Sequence, residues 1–329
     1  MSPLRRIGIA VLALAGLPLA PRAIPSQPPT PLVPVATVAH GPVSEISGIV
    51  ASRRFPGTYW VHNDSGDRAR IFAMDAKGTV LMPPFLKGGY RIGADDSKDP
   101  KPQWPGLPVD GATNYDWEDI ATDGDHLFIA DTGNNGNARR DLAVYVLSEP
   151  NPLAVESAHV LRRIPVAYPD QKGFPDPADW TFDCEAMFVH KGRLHFLTKH
   201  RAPGKIGIPQ NGTKLYRLEG EHTDRVNVLR KLDAVPDLGG WITAADVSPD
   251  GRTLAVLCHA PVASVWLFDL GKSGDRLLSG PSKRFLLRGA GQCEAVCFDG
   301  DSEVIVANEE RQLFRIGVDR FVAEAPRRP

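Results

Sequence analysis

Five times along the chain, a short run of small and apolar residues opens on a carboxylate and closes at a turn. The runs are Glu45-Ile46-Ser47-Gly48-Ile49-Val50, Glu118-Asp119-Ile120-Ala121, Glu185-Ala186-Met187-Phe188, Asp246-Val247-Ser248 and Glu294-Ala295-Val296-Cys297-Phe298. Turn residues follow them: Pro56-Gly57, Asp123-Gly124-Asp125, Lys191-Gly192, Pro249-Asp250-Gly251 and Asp299-Gly300-Asp301. Gly and Asp tolerate the positive φ of tight hairpins, so each run predicts the first strand of a hairpin. Second strands follow at Tyr59-Trp60-Val61-His62, Leu127-Phe128-Ile129-Ala130, Leu194-His195-Phe196-Leu197, Leu254-Ala255-Val256-Leu257 and Val304-Ile305-Val306-Ala307. Third strands carry a central aromatic: Phe72, Tyr145, Tyr216, Trp266 and Phe314. Fourth strands are looser (Val160 to Val166, Val226 to Leu232, Arg284 to Arg288), and the fifth unit has no clear one.

Four short strands repeating at roughly fifty to seventy residues predict an all-β fold, a single β-propeller of five four-stranded blades. An apolar stretch without a hairpin partner, Val35 to Val38, is expected to complete the last blade and close the ring. Closure matters because a blade's apolar faces are covered only by its neighbours. Insertions at Gly88 to Asn114 and Ala202 to Asn211 are polar and rich in Gly and Pro. They read as loops over one face, with a sixth irregular blade as the alternative.

Composition adds bounds. Of 329 residues 42% are hydrophobic and 23% charged, with a net charge of -1, which offers no basic field for nucleic acid or an anionic membrane. Thirty-one glycines and thirty prolines suit short strands and turns rather than long helices. Arg5-Arg6 before the apolar run Ile7 to Ala20 reads as an export signal over residues 1–23, by the general or the twin-arginine route. A proline-rich linker (24–34) and the propeller domain (35–329) follow, in a periplasmic or secreted protein without an integral membrane domain. Cys184, Cys258, Cys293 and Cys297 have no zinc-type spacing. They read as small buried thiols, three full pairings being open in an oxidising compartment.

Candidate chemistry follows from the fold. The start of a first strand and the end of a second reach the same face of a propeller, so one channel mouth is expected to gather Glu45, Glu118, Glu185, Asp246 and Glu294. Just outside would lie His62 with Asn63 and Asp64, Asp131 with Asn134 and Asn135, Lys199-His200, His259, and Asn308-Glu309. Five carboxylates in a narrow ring repel one another. A cation, raised pKa values or water would offset that, as would hydrogen bonds from backbone N–H groups of the adjacent blade. Oxygen-only ligands suit calcium. Asp131-Thr132-Gly133-Asn134-Asn135 and Asn63-Asp64-Ser65-Gly66 read as calcium loops or as Asx turns. His62 and His259 are candidate general bases, or packing residues. There is no G-x-S-x-G, H-E-x-x-H, Walker or dinucleotide fingerprint.

Ser47-Gly48-Ile49, Trp60-Val61-His62-Asn63-Asp64-Ser65-Gly66, and Trp117-Glu118-Asp119-Ile120-Ala121 with Asp131-Thr132-Gly133-Asn134-Asn135 together resemble exported bacterial β-propellers of the phytase-like esterase and SdiA-regulated group. The likeness is strongest over Ser44 to Pro150 and returns at Glu185, Asp246 and Glu294. It implies a calcium-dependent hydrolase of phosphate or carboxylic esters. The carboxylate ring (with Asp64 and Asp131) would hold Ca2+, Lys199 and His200 would contact the substrate anion, and His62 or His259 would move the proton. β-Propeller phytases carry a dense basic cluster, for which this chain has only Lys199, His200 and Arg201, so phytate itself is not implied. The alternative is a non-catalytic propeller that binds a small ligand or an envelope protein around a structural ion.

Overall fold

The computed structural model describes residues 30–95, 98–235, 237–261, 263–272 and 274–324. The expected export signal and the linker up to residue 29 lie outside the described residues. In chain order the strands are β1 (Thr30–Pro31), β2 (Ala36–Thr37), β3 (Ile46–Ala51), β4 (Tyr59–Asn63), β5 (Arg70–Met74), β6 (Val80–Leu81), β7 (Leu107–Asp110), β8 (Trp117–Thr122) and β9 (His126–Asp131). Next come β10 (Ala143–Ser148), β11 (Ala158–Ala167), β12 (Trp180–His190), β13 (Arg193–Ala202), β14 (Lys205–Pro209), β15 (Thr213–Arg217), β16 (Asn227–Val228), β17 (Arg230–Val235) and β18 (Gly240–Val247). The last are β19 (Thr253–Pro261), β20 (Ser264–Asp269), β21 (Ser282–Arg288), β22 (Cys293–Asp299), β23 (Glu303–Asn308), β24 (Gln312–Gly317) and β25 (Val322–Ala323). Among the described residues three short 3-10 turns interrupt them, and no described helix is long and apolar enough to cross a membrane.

The pairing order is that of a β-propeller. β3-β4-β5, β8-β9-β10-β11, β12-β13-β15-β17 and β18-β19-β20-β21 are antiparallel runs, and β22-β23-β24 is completed by β2. Ala36 pairs with Leu313 and Thr37 with Gln312, so an N-terminal strand closes the last sheet, as the unpartnered stretch at Val35 to Val38 led us to expect. The first group's outer strand is split: β6 and β7 both pair with β5, and β7 continues in parallel onto β11, joining two groups into one ten-stranded sheet. The insertion 88–114 therefore contributes a strand to the first sheet rather than a sheet of its own. The end of the expected linker is also structured, because β1 runs parallel to β21.

The inner strands β3, β8, β12, β18 and β22 pack in a ring, β22 returning against β3. Apolar clusters fill the spaces between neighbouring sheets, for example Trp60, Trp117 and Ile129, or Phe285, Phe298 and Phe314. At the β12–β13 turn Lys191 and Gly192 both take positive φ (50° and 68°), the two-residue hairpin geometry that its sequence called for. All four cysteines are buried, and Cys184, Cys293 and Cys297 are thiols.

Each inner strand carries a β-bulge at one end, and this repeated irregularity builds the site. Register slips between Ile46 and Gly48, Trp117 and Ile120, Cys184 and Ala186, Ile242 and Ala244, and Cys293 and Ala295. The extra residue is Ser47, Glu118, Glu185, Thr243 or Glu294, each polar and each buried. A bulge re-aims a side chain that regular pleating would bury in the sheet stack.

Candidate metal and active site

At this end of the channel the residue two before each bulge is Glu45, Asp116, Asp183, Trp241 or Gln292, and the one between them is a fully buried core residue. The site is thus a repeated triplet, outer polar, apolar, inner polar, one from each inner strand. In the second and third groups it reads Asp-x-Glu. Asp64, Asp116 and Glu118 offer carboxylate oxygens all within 4.8 Å of one another, and so do Glu118, Asp183 and Glu185. Glu118 belongs to both sets.

The two sets differ in charge. Arg201 grips Asp183 through Nε (2.9 Å) and Nη2 (2.8 Å) and reaches Glu185 at 3.4 Å, while Lys199 Nζ lies 3.0 Å from Glu185. Trp241 lies beneath both cations, 5.1 Å from Lys199 Nζ and 4.9 Å from the Arg201 guanidinium, and its indole N–H donates to the His200 carbonyl. Among the described residues Asp64, Asp116 and Glu118 form no direct ion pair, although Lys199 and Arg139 are more distant positive neighbours of Asp64 and Asp116. The Glu118 side chain is 5% exposed and makes no hydrogen bond or ion pair among the described residues. Burial, then repulsion from Glu185, Asp116, Asp64 and Asp183, pushes its pKa well above the carboxylate range. Burial likewise pushes Asp116 up to about 6, Asp183 to about 7 and Glu294 to about 7. Burial opposes the charge on Lys199, but Glu185, Glu294 and Asp183 outweigh it and hold the ammonium firmly protonated.

The stretch after β9 fastens the second group to the third. Thr132 Oγ1 donates to the Cys184 carbonyl (3.1 Å), Asn134 N–H to Asp183 Oδ1 (2.6 Å), and Arg201 to Asn135 Oδ1. Gly133 N–H bonds the Asp116 carbonyl, and a Cβ on Gly133 would collide with the Glu118 and Asp116 carboxylates, so any side chain there would displace them. Asp131 sits behind this layer, accepting from Asp116 N–H (3.1 Å) and Arg139 Nη1 (3.0 Å), rather than among the clustered oxygens.

Of the residues expected at the mouth, the structure gathers Glu118, Glu185 and Asp64 in the two oxygen clusters, with Lys199 against Glu185. Glu294 and His259 are electrostatic neighbours of Lys199, and Glu45 is an exposed neighbour of Asp64. Asp246 is the clear misplacement. The bulge of β18 falls at Thr243, so Asp246 lies three residues deeper and borders a cavity of about 410 Å³ at the other end with Arg53 and Asp299. There it accepts N–H bonds from Phe298 and Val247, both 2.8 Å, a carboxylate tying neighbouring inner strands together. Asp119 does the same more deeply, accepting from Ile120 (2.9 Å), Met187 (2.9 Å) and Ala245 (3.2 Å). His62 is fully buried, edge-on to Trp117 at 5.6 Å with Nε2 against Gly48, and burial lowers its pKa to about 4. His200 points away from Lys199, as strand alternation demands, and bonds Thr198 Oγ1 and the Asn211 carbonyl. Neither histidine is brought to the carboxylates.

Asp116, Asp183, Arg201 and Trp241 complete the site beyond the expected set. The signal for the first two was the repeated Asp-x-Glu, Asp116-Trp117-Glu118 and Asp183-Cys184-Glu185. The same i, i+2 spacing puts Arg201 beside Lys199.

Fold and site define a β-propeller with an acidic, partly neutralised channel mouth. No family model matches the chain, and no curated protein matches its sequence. Among solved structures it is similar to a gluconolactonase from Xanthomonas campestris, at 14% identity and a TM-score of 0.39, covering 91% of this chain and 90% of that one. It is also similar to a PQQ-bound aldose sugar dehydrogenase from Streptomyces coelicolor, at 12% identity and a TM-score of 0.43, covering 89% and 98%. Likeness at this level bears on no residue of the site.

Proposed function

We propose that the mouth binds calcium on Asp64, Asp116 and Glu118, and that the protein is a calcium-dependent hydrolase of phosphate or carboxylic esters, acting in the periplasm or outside the cell. The observation that carries this reading is Glu118, a buried carboxylate without a partner among the described residues, facing two further carboxylates at ligand spacing. Oxygens bound to one Ca2+ at about 2.4 Å lie up to about 4.8 Å apart, the spread seen here. Asp183 and Glu185 already have cations of their own, so the uncompensated charge lies on the other three. Irregular, oxygen-only ligands favour calcium over magnesium.

When bound, such an ion supplies Lewis acidity, polarising a scissile carbonyl or phosphoryl group and acidifying water. The chain's own groups complement that. Asp116, with a pKa near 6 in the ion-free protein, is deprotonated at neutral pH and available as a ligand. Lys199 remains charged and is placed to orient an anionic oxygen. His259, its pKa lowered by burial and then by Lys199, is neutral, with an unbonded Nδ1 beside the same mouth.

A symmetric ring of fully hydrogen-bonded acids would favour a binding module instead. Asp119 and Asp246 are of that kind, whereas Glu118 and Asp116 are not. Hydrolysis of 4-nitrophenyl acetate and 4-nitrophenyl phosphate tests the proposal. Turnover is expected with calcium, lost in chelator and strongly reduced in Asp116→Asn, which removes one of the proposed ligands. Calcium binding without turnover of either ester would leave the non-catalytic reading.

A further inference from the structure

The channel opens again at the end away from the carboxylates. The last residues of the five inner strands, Ala51, Thr122, His190, Val247 and Asp299, line two cavities there, one of about 410 Å³ and one of about 180 Å³. Arg53, Val247 and Pro249 line both, so the cavities adjoin. The Arg53 stem lies against the β8–β9 turn, where a Cβ on Gly124 would stand 3.6 Å from Arg53 Cδ. Its charge also acts on Asp246 from β18. Arg53 thus leaves the turn after β3 and reaches towards the second and fourth groups.

The acids at this mouth are already engaged. Asp246 accepts the N–H groups of Val247 and Phe298, Asp299 is paired with Arg315, and Asp123 accepts the N–H groups of Asp125 and His126. The cations are not. Among the described residues the side chains of Arg53 and Lys191 form no hydrogen bond or ion pair. His190 lines the smaller cavity beside Lys191, is 7% exposed, and has a buried Nε2 with no hydrogen-bond partner among the described residues. Burial, then Lys191, lowers its pKa and keeps the ring neutral, so Nε2 is free to donate in the tautomer that carries its proton there. Val50, Pro56 and Phe298 give the larger cavity apolar walls. A ligand-sized cavity with such walls and a few polar groups is the usual form of a small-molecule site. The guanidinium fork matches the oxygens of an anionic head, and two uncommitted positive charges match the near-double charge of a phosphate monoester better than the single charge of a carboxylate.

We propose that this second mouth is an anion site, separate from the carboxylate cluster, for a small organic phosphate. Arg53 holds the phosphate head, Lys191 and His190 add donors from the smaller cavity, and the organic body lies in the larger one. The site needs no metal ion and does not rest on the calcium reading. Calorimetric titration at pH 8 in chelator with phenyl phosphate, benzoate and inorganic phosphate tests it. Phenyl phosphate is expected to bind about tenfold tighter than inorganic phosphate, which leaves the larger cavity unfilled. It should also bind about tenfold tighter than benzoate, which carries one charge. Arg53→Gln should weaken phenyl phosphate at least about tenfold, as loss of charge-assisted hydrogen bonds does, and Lys191→Met by a smaller factor. Both side chains are exposed, so the melting temperatures should stay at the wild-type value. No binding of phenyl phosphate, or affinity unchanged in Arg53→Gln, would overturn the proposal. So would binding seen only when calcium is added, because the anion would then sit at the carboxylate cluster. Equal affinity for benzoate would refute the phosphate head, and equal affinity for inorganic phosphate would refute the role of the larger cavity. Phenyl phosphate bound through Arg53 in a protein that shows no calcium response would instead overturn the cation reading and leave this site standing.

Discussion

Glu118→Gln is expected to act in opposite directions with and without calcium. The Glu118 oxygen lies within 4.8 Å of oxygens from Asp64 and Asp116 on one side and Asp183 and Glu185 on the other. A like-charge pair at that separation costs about 3 kcal/mol at an effective dielectric of about 20. Arg201 and Lys199 offset the repulsion from Asp183 and Glu185, and solvent and partial protonation soften that from Asp64 and Asp116. The glutamine variant in chelator at pH 8 should therefore be stabilised by about 1–3 kcal/mol, raising its melting temperature by about 2–6 °C at roughly 2 °C per kcal/mol for a chain of this size. Calcium at a thousand times its dissociation constant stabilises the wild type by about 4 kcal/mol, and the variant should lose that response. Differential scanning fluorimetry in calcium, magnesium and chelator reads both effects, and the order of the two proteins should invert between chelator and calcium. A variant less stable than wild type in chelator would show Glu118 to be a hydrogen-bonded structural acid. A variant keeping the full calcium shift would remove the ion from this cluster.

Proton competition gives a pH test. Because burial raises Asp116 to about 6, the folded protein holds that proton below pH 6 and must release it for a cation to bind. Calcium affinity should therefore fall about tenfold from pH 8 to pH 5 through Asp116 alone, and further through Glu118; titration in buffers of different ionisation enthalpy should show proton release, and a pH-independent affinity would refute it. Asp119→Ala leaves the buried N–H groups of Ile120, Met187 and Ala245 without their acceptor, so a loss of about 3 kcal/mol or more is expected in urea unfolding. Removing a buried carboxylate whose pKa is pushed well above normal works the other way, and a stabilised variant would show that desolvation outweighs the three bonds.

The strand grammar was legible because it is local. Alternation, turn glycines and the unpartnered stretch at Val35 to Val38 carry their meaning in a few neighbouring residues, and hairpins and ring closure follow from them. The acidic character of one mouth was legible for the same reason, since Glu118 and Glu185 stand at the starts of their strands. Each sheet's bulge was not legible, because an extra residue shows only against the partner strand. One bulge puts Thr243 where an acid was expected and leaves Asp246 at the opposite end. Pairing across strands likewise decided that Arg201 and Lys199 neutralise Asp183 and Glu185 while Glu118 forms no ion pair among the described residues. Burial between neighbouring sheets took His62 out of the site, and alternation along β13 turned His200 away while keeping Lys199 and Arg201 together. The sequence by itself determined which elements form and that they close into a ring. The tertiary structure decided which carboxylates meet and which of them lack a cation, because both depend on register between strands far apart in the chain.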